Sequence, residues 1–312
     1  GSDNTAMGVS AFGSATTGAN NTAIGRAALF ANTTANNNTA VGYQALQDNT
    51  ASNNAAVGYG ALKENTSGSN NTAVGFESLK NNTTGIKNIA VGGNSLDANT
   101  TGDFNTSFGY FSLTTNTTGD GNTAFGHASL KLSTTAGKNS AFGFEALEQN
   151  TTGQFNVAVG ALALDSNTTA SNNTAVGYHS LGANTTGTNL VAVGFEALST
   201  STGSNNTAVG KSALRLTTSG ENNTALGNNA LKVNTTASSN VAVGYEALGA
   251  NTTGTNNVAV GSFALDANTT GNSNTGLGTA ALSGNTTGID LIAIGHSALA
   301  LNTTANNNVA IG

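Results

Sequence analysis

The chain has 312 residues, a formal net charge of −6 and only 8% charged residues, and it contains 41 Gly but no Pro, Cys or Trp. No cluster of Lys and Arg predicts a nucleic-acid interface, no apolar run of about 18 residues predicts a membrane span, and the lack of Cys excludes disulfides and thiolate metal sites. Because disordered chains usually combine Pro with high net charge, we expect this chain to fold.

One short repeat accounts for the whole chain. A glycine that closes an Asn-Thr-Ala-Val-Gly-like segment recurs nineteen times from Gly8 to Gly312, at sixteen intervals of 17 residues and two of 16. Counted from the residue after that glycine, the consensus is x-x-Ala-Leu-x-x-Asn-Thr-Thr-Gly-x-Asn-Asn-Thr-Ala-Val-Gly, and repeat positions 1 to 17 below follow this count. The pattern predicts a single continuous array over residues 1–312. Since it starts and ends mid-pattern, we expect the array to belong to a longer protein, with a subunit that stacks into longer filaments as the alternative.

Each coil contains three predicted elements, in chain order. The Ala-Leu pair at positions 3 and 4, such as Ala45-Leu46, predicts a short strand, and the Asn-Thr-Thr-Gly run that follows predicts a turn. Positions 13 to 17 predict a second strand, because position 14 alternates among Thr, Val and Ile. The short intervals lose one residue in or beside the turn, where a deletion shortens only a loop. Stacked coils of this kind predict an all-β parallel β-solenoid of about eighteen 17-residue coils, with asparagine side chains paired along the stack.

The alternation of side chains along a strand divides the coil into an inner and an outer face. Positions 14 and 16 share one face and positions 15 and 17 the other. We assign the leucines of position 4 and the residues of positions 14 and 16 to the core. The predicted structural core residues are Leu29, Leu46, Leu62, Leu79, Leu96, Val41, Val57, Val74 and Val91. The predicted inter-chain face consists of Ala40, Gly42, Ala56, Gly58, Ala73 and Gly75. Because one coil buries few large apolar groups, we expect a homotrimer or a filament, with an exposed Ala/Gly surface on a monomer as the alternative.

No set of residues predicts catalysis, a metal site or a cofactor, because a regular repeat does not assemble the irregular group of side chains that catalysis requires. The histidines lie in separate coils and are expected on the surface: His127, His179 and His296. The glutamates of position 2 are never in adjacent coils. We interpret them as residues that keep the chain soluble, with a cation site as the alternative. These glutamates are Glu77, Glu145, Glu196 and Glu246.

Two further sets of residues allow alternative interpretations. Several turns contain N-glycosylation motifs, at Asn32, Asn99 and Asn184 among others, which either form turns or carry glycans. The aromatic residues of position 1 either pack in the core or at a trimer edge, or form a stripe that binds sugar or protein. These aromatics are Tyr43, Tyr59, Phe76, Tyr110, Phe144, Tyr178, Phe195 and Tyr245.

The segments at 38–46 (Asn-Thr-Ala-Val-Gly-Tyr-Gln-Ala-Leu) and 240–248 (Asn-Val-Ala-Val-Gly-Tyr-Glu-Ala-Leu) carry a family resemblance. They resemble the head repeats of YadA-like trimeric autotransporter adhesins, and very similar arrays occur in phage tail-fibre-like proteins. The resemblance covers essentially the whole chain, although this coil is longer than the typical head repeat. It implies a left-handed parallel β-roll, three chains side by side, and attachment to matrix proteins or cells at a bacterial surface.

Together these features predict a non-enzymatic structural and adhesive fibre segment, extracellular on a cell surface or a virion. Its expected partners are further copies of itself, in a homotrimer or a filament, and a host surface protein or glycan. No nucleic acid, membrane or cofactor is expected. The alternatives are the shaft of a virus or phage tail fibre and an ice-binding solenoid. Ice binding is disfavoured because the threonines of positions 8 and 9 are consecutive in a turn, whereas a flat rank of threonines needs alternate strand positions.

Overall fold

The computed structural model describes residues 1–312, which contain nineteen β-strands of three residues each and no helix. The chain forms two compact units, Gly1–Phe155 and Asn156–Gly312. The strands of the first unit are β1 (Thr5–Met7), β2 (Thr22–Ile24), β3 (Thr39–Val41), β4 (Ala55–Val57), β5 (Thr72–Val74), β6 (Ile89–Val91), β7 (Thr106–Phe108), β8 (Thr123–Phe125) and β9 (Ser140–Phe142). Those of the second are β10 (Val157–Val159), β11 (Thr174–Val176), β12 (Val191–Val193), β13 (Thr207–Val209), β14 (Thr224–Leu226), β15 (Val241–Val243), β16 (Val258–Val260), β17 (Thr275–Leu277), β18 (Ile292–Ile294) and β19 (Val309–Ile311).

Within each unit, every strand pairs in parallel with its own copy in the next coil. In β5 and β6, Ala73 lies opposite Ala90 and Val74 opposite Val91. The short coils keep this register, since Ala40 of β3 lies opposite Ala56 of β4. The predicted all-β parallel β-solenoid with 17-residue coils is therefore confirmed. No helix in the structure is long and apolar enough to cross a membrane.

The predicted second strand at positions 3 and 4 is wrong. Each coil has one strand, and positions 1 to 6 form consecutive turns. Leu46 in this segment has a left-handed backbone with φ of 51°. The segment bonds to both neighbouring coils, because the Gln44 N–H donates to the Arg26 carbonyl at 3.0 Å and the Leu46 N–H donates to the Ala61 carbonyl at 3.1 Å. A strand does not form here because the backbone alternates into the left-handed region, which leucine adopts rarely.

The core is formed by the leucines of position 4 and by the small residues of positions 3 and 15, which are Ala in most coils and Ser in some. The predicted core leucines Leu29, Leu46, Leu62, Leu79 and Leu96 are fully buried. The predicted core valines are wrong, since Val57 and Val74 are 41% and 38% exposed and Val41 and Val91 are half-buried. A Cβ added at Gly276, in position 15, would lie 3.5 Å from the Leu265 side chain. The leucine fills the thin interior and leaves space only for a small side chain opposite it, so the alanine side of the strand faces inward.

The predicted inter-chain face is also wrong. Its alanines, Ala40, Ala56 and Ala73, are fully buried within their own coils. Its glycines, Gly42, Gly58 and Gly75, are half-buried and adopt φ of 134° to 140°. A Cβ on Gly42 would lie 2.3 Å from the Gly58 carbonyl oxygen. These glycines are thus required by the close stacking of coils.

Two asparagine columns, at positions 7 and 13, satisfy the polar groups of the interior. In the position-7 column, Asn82 Nδ2 donates to Asn65 Oδ1 at 2.7 Å and to the Gly85 carbonyl at 2.9 Å. In the position-13 column, Asn88 Nδ2 donates to the Gly102 carbonyl at 2.8 Å. These asparagines are fully buried, so each bond replaces hydration that the interior excludes. The predicted pairing of asparagine side chains along the stack is confirmed.

Candidate functional surfaces

The strand face, defined as the side chains of positions 14 and 16, is an uncharged and partly apolar surface of each unit. Position 16 is apolar in every strand, whereas position 14 is Thr or Ser in eleven of the nineteen. None of the nineteen strands contains a charged residue. In the first unit, the exposed members include Val57, Val74, Ile89, Phe108, Phe125 and Phe142, and in the second they include Val157, Val159, Val191, Leu226, Val260 and Ile292. All charged residues lie at other repeat positions, mainly 2, 5, 6, 11 and 12. The strand has the two faces that the alternation of residues predicts, but the face predicted to lie inside is the outer one.

Three phenylalanines on the strand face of the first unit stack on one another. The ring centroids of Phe108 and Phe125 are 4.7 Å apart, and those of Phe125 and Phe142 are 5.4 Å apart. Each ring is more than a third exposed. The stack results from placing identical residues in consecutive coils, and it leaves a broad ring-edge surface in contact with water.

The aromatic residues of position 1 form shorter exposed stacks beside the strand face. Tyr43 and Tyr59 are stacked with centroids 5.1 Å apart, and Tyr59 and Phe76 with centroids 5.3 Å apart. All three side chains are exposed, so the interpretation as core residues is wrong. Since each ring face is covered by the next ring, mainly ring edges meet solvent. A sugar that stacks on an aromatic ring needs a free ring face, and these runs offer one only where they are interrupted.

The position-2 glutamates pair with neighbouring polar groups. Glu77 accepts from Lys80 Nζ at 2.9 Å, and Glu196 pairs with Arg215 Nε at 2.9 Å. Glu246 accepts from Asn229 Nδ2 at 3.3 Å. No three His, Asp or Glu side chains converge in a geometry that holds a metal ion. His127 stacks against Phe144, with ring centroids 5.3 Å apart.

Aspartates of positions 5 and 6, which sequence analysis did not single out, have perturbed acidity. Burial is the main cause that raises the pKa of Asp97, although the hydrogen bond from Thr114 Oγ1 at 2.8 Å lowers it. Burial likewise raises the pKa of Asp266, with a smaller contribution from the Glu246 carboxylate. Position 5 varies in identity along the chain, so no column pattern marked these residues.

Two open cavities lie along the turn segment formed by positions 1 to 6. The cavity in the second unit has a volume of about 340 Å³, and its lining includes Asn229, Lys232, Glu246, Gly249 and Asp266. The cavity in the first unit has a volume of about 230 Å³, and its lining includes Arg26, Ala27, Phe30, Tyr43, Gln44 and Gln47. The cavity in the second unit opens where Gly249 interrupts a column that carries Lys232 and Asp266 on either side. The cavity in the first unit opens where the short residues Ser10 and Ala27 precede Gln44 in one column. These departures from the repeat are visible in the sequence.

The N-glycosylation motifs of the turns are buried. Asn32, Asn99 and Asn184 are fully buried, and the amide nitrogens of all three already donate to a carbonyl of their own turn. A glycan on any of these nitrogens has no space in the folded coil. The turn interpretation of these motifs is therefore the one compatible with the folded chain.

The threonines of position 8 form a regular row in each unit. Thr66 Oγ1 donates to the Thr83 carbonyl at 2.9 Å, and Thr83 Oγ1 donates to the Thr100 carbonyl at 2.9 Å. The same bond joins Thr252 to Thr269 at 3.0 Å in the second unit. Each hydroxyl is thus held in one orientation and recurs once per coil.

No protein-family model matches the chain, and no curated protein matches it.

Proposed function

We propose that this chain is a non-enzymatic structural segment of an extracellular fibre, in which copies associate side by side through the strand face. The observation that carries the proposal is the uncharged strand face of both units, on which every position-16 side chain is apolar and either exposed or half-buried. Large contiguous apolar patches are rare on soluble monomers and mark interaction surfaces. Stable homo-oligomer interfaces are similarly apolar and depleted of charge.

The regular spacing of the coils makes this surface suited to a long interface. Because every coil adds two outward side chains at the same repeat positions, the interface grows by one step with each coil. A repetitive scaffold of this kind presents an attachment element at a cell surface, with a host protein or glycan as the target. The shaft of a virus or phage tail fibre needs the same kind of rigid repetitive rod. The genes beside the coding sequence distinguish a tail-fibre shaft from a bacterial surface fibre.

The solution mass of the chain tests the association. The resemblance to trimeric adhesin heads favours three copies, so light scattering should give about 92 kDa, three times the 30.6 kDa of one chain. A stable species of 30.6 kDa would contradict the proposal. A different multiple would retain the strand face as an interface but reject the trimer.

Lysine substitutions test whether the oligomer forms through the strand face. The double variant Val57→Lys, Val74→Lys places two charges on adjacent strands of the face and should shift the mass towards 30.6 kDa, because burying unpaired charge is costly. The matched control Ser67→Lys, Thr84→Lys places two charges on exposed turn positions of adjacent coils and should keep the wild-type mass. Circular dichroism shows whether both variants fold. Equal masses for the two variants would place the interface elsewhere.

Ice binding is the second candidate function, and the position-8 threonine row favours it. Its hydroxyls are held in one orientation by the carbonyl of the next coil and repeat at the coil spacing of about 4.8 Å. Thermal hysteresis of the purified chain measures this directly. Clear activity that is lost in Thr83→Val and Thr100→Val would replace the fibre proposal.

A further inference from the structure

The cavity beside Arg26 has the polar and apolar groups of a binding site for a small anionic ligand. We call it the Arg26 pocket, lined chiefly by Arg26, Ala27, Phe30, Tyr43, Gln44 and Gln47. It lies between three consecutive coils, because Ala27 is short where the next coil carries Gln44 at the same position. Its volume of about 230 Å³ equals that of roughly eight liquid water molecules. The pocket belongs to the turn segment rather than the strand face, so it does not depend on the proposed association.

The charge in the pocket is unbalanced. Arg26 makes no ion pair, and its guanidinium carbon lies 5.9 Å from the centroid of the Tyr43 ring. No Asp or Glu lines the pocket. On a chain with net charge −6, this is an uncompensated cation beside a cavity. A guanidinium offers parallel donors that match the two oxygens of a carboxylate.

Two side-chain amides also line the pocket, those of Gln44 and Gln47. Amide groups both donate to and accept from hydroxyl groups, so the site favours a ligand that carries hydroxyls beside its acid group. Phe30 supplies an apolar wall, and its ring leans over Gly13 of the preceding coil, where an added Cβ would lie 2.9 Å from the ring.

We propose that the Arg26 pocket binds a single acidic sugar residue, a hexuronic or related acid at the end of a glycan. Such a ring combines a carboxylate for Arg26, hydroxyl groups for the amides of Gln44 and Gln47, and an apolar C–H face for Phe30. A carboxylate on a flexible peptide side chain meets the first requirement but not the other two together. The pocket therefore selects a rigid ring that carries both acid and hydroxyl groups.

Titration calorimetry with two matched probes tests the ligand class. Methyl glucuronoside and methyl glucoside differ only in the carboxylate, and the acid should bind at least about tenfold more tightly, as expected for a hydrogen bond to a charged group. Equal affinity for the two sugars, or no detectable binding of the acid, would overturn the proposal. N-acetylglutamate amide serves as the probe without a ring, and binding as tight as that of the glucuronoside would reject the sugar.

Three variants locate the binding. Arg26→Gln should remove the preference for the acid, and Ala27→Gln should abolish binding of both sugars by filling the pocket. Gln is compatible with this position, because Gln44 adopts φ of 54° and Ala27 adopts φ of 55°. Lys211→Gln is the matched control, since Lys211 occupies the same repeat position, lies over Phe195 and lines neither cavity. Wild-type binding by Ala27→Gln, or loss of binding in Lys211→Gln, would place the ligand elsewhere even if light scattering confirms the trimer.

Discussion

The glycine that closes every coil is fixed by both its backbone angle and its surroundings. Gly75 has φ of 134°, and an added Cβ would lie 2.5 Å from the Gly92 carbonyl oxygen. Only glycine adopts this backbone region without strain. The invariance of this column along the chain therefore reflects the spacing between coils rather than any surface role.

Alanine substitution should destabilise the chain much more at Gly75 than at Gly60. Gly75→Ala should lower the free energy of unfolding by roughly 2–4 kcal/mol, because it adds strain and forces two coils apart. Gly60→Ala should stay within about 1 kcal/mol of wild type, because the left-handed region is open to other residues at low cost. Gly60 has φ of 61°, and the nearest atom to an added Cβ is Glu77 Cγ at 3.5 Å. Urea unfolding measures both, and equal midpoints would contradict the steric argument.

The raised pKa of Asp97 determines the direction in which this residue makes folding stability depend on pH. A carboxyl with a pKa above its ordinary value of 3.8 in the folded chain favours the protonated form. The protonated Asp97 side chain therefore contributes to the free energy of unfolding when the pH is below the ordinary pKa of 3.8. This contribution is lost as the pH rises through the raised pKa. Asp97→Asn, which keeps an acceptor for Thr114, should gain stability relative to wild type as the pH rises from about 4 to about 7. Urea midpoints at the two pH values measure the difference, and a gain that is larger at pH 4 would reverse the assigned sign.

Residue types indicated the columns but not their backbone conformations. The leucine of position 4 was correctly placed in the core because a large apolar residue recurs once per coil. Its left-handed backbone was missed, since leucine carries no signal for positive φ. The alternation of Thr, Ala and Val showed that the strand has two faces. It did not show that the leucine leaves space only for the alanine side.

At the scale of the element, the turn absorbs changes in length. In the short coil that ends at Gly58, the position-9 residue is absent and Asn49 Nδ2 donates to the Ala51 carbonyl at 2.7 Å, two residues away. In a full coil, Asn82 makes the equivalent bond to Gly85, three residues away. The strand register is the same in both cases. The prediction that shortening affects only the turn was correct for this reason.

Single-residue deletions should show that the turn tolerates a change in length and that the strand does not. Deleting Thr84, at position 9, should leave the chain folded with a loss of less than about 1 kcal/mol, because the turn has a natural shorter form. Deleting Ile89, in β6, should cost several kcal/mol, because one step along a strand sends every following side chain to the opposite face. Thermal unfolding followed by circular dichroism compares the two. Similar stabilities would show that the register does not depend on the strand.

At the scale of the molecule, each coil acts as an exchangeable unit of structure. In repeat proteins, stability is close to a sum of coil and nearest-neighbour contributions. Removing the whole coil 76–92 joins Gly75 to Gly93 and should leave a folded chain with little change in thermal midpoint. Removing only 76–84 leaves half a coil and should disrupt the neighbouring strands. Thermal scans of both deletions test this, and a large destabilisation by the whole-coil deletion would show that the coils are not equivalent.

The repeat predicted the solenoid well because its signal recurs in every coil, whereas both candidate sites depend on departures from the repeat. The Arg26 pocket lies where the short residues Ser10 and Ala27 precede Gln44 in one column. The strand face required knowledge of which side of the strand is buried. A periodic pattern averages over coils, so it describes the scaffold and hides the features that occur only once.

The buried position-7 asparagines have a consequence for synthesis of the chain. Their Asn-Thr-Thr motifs are acceptors for enzymes that modify growing polypeptides, yet Asn82 and Asn99 join in a bond of 2.8 Å that excludes any attached sugar. In a secretory host with such enzymes, coil closure competes in time with glycan transfer, and each transfer that comes first leaves a coil unable to close. The short coil escapes this competition, because Ala51 removes the motif at Asn49. Expression in a host without the transferase avoids this source of misfolded chains.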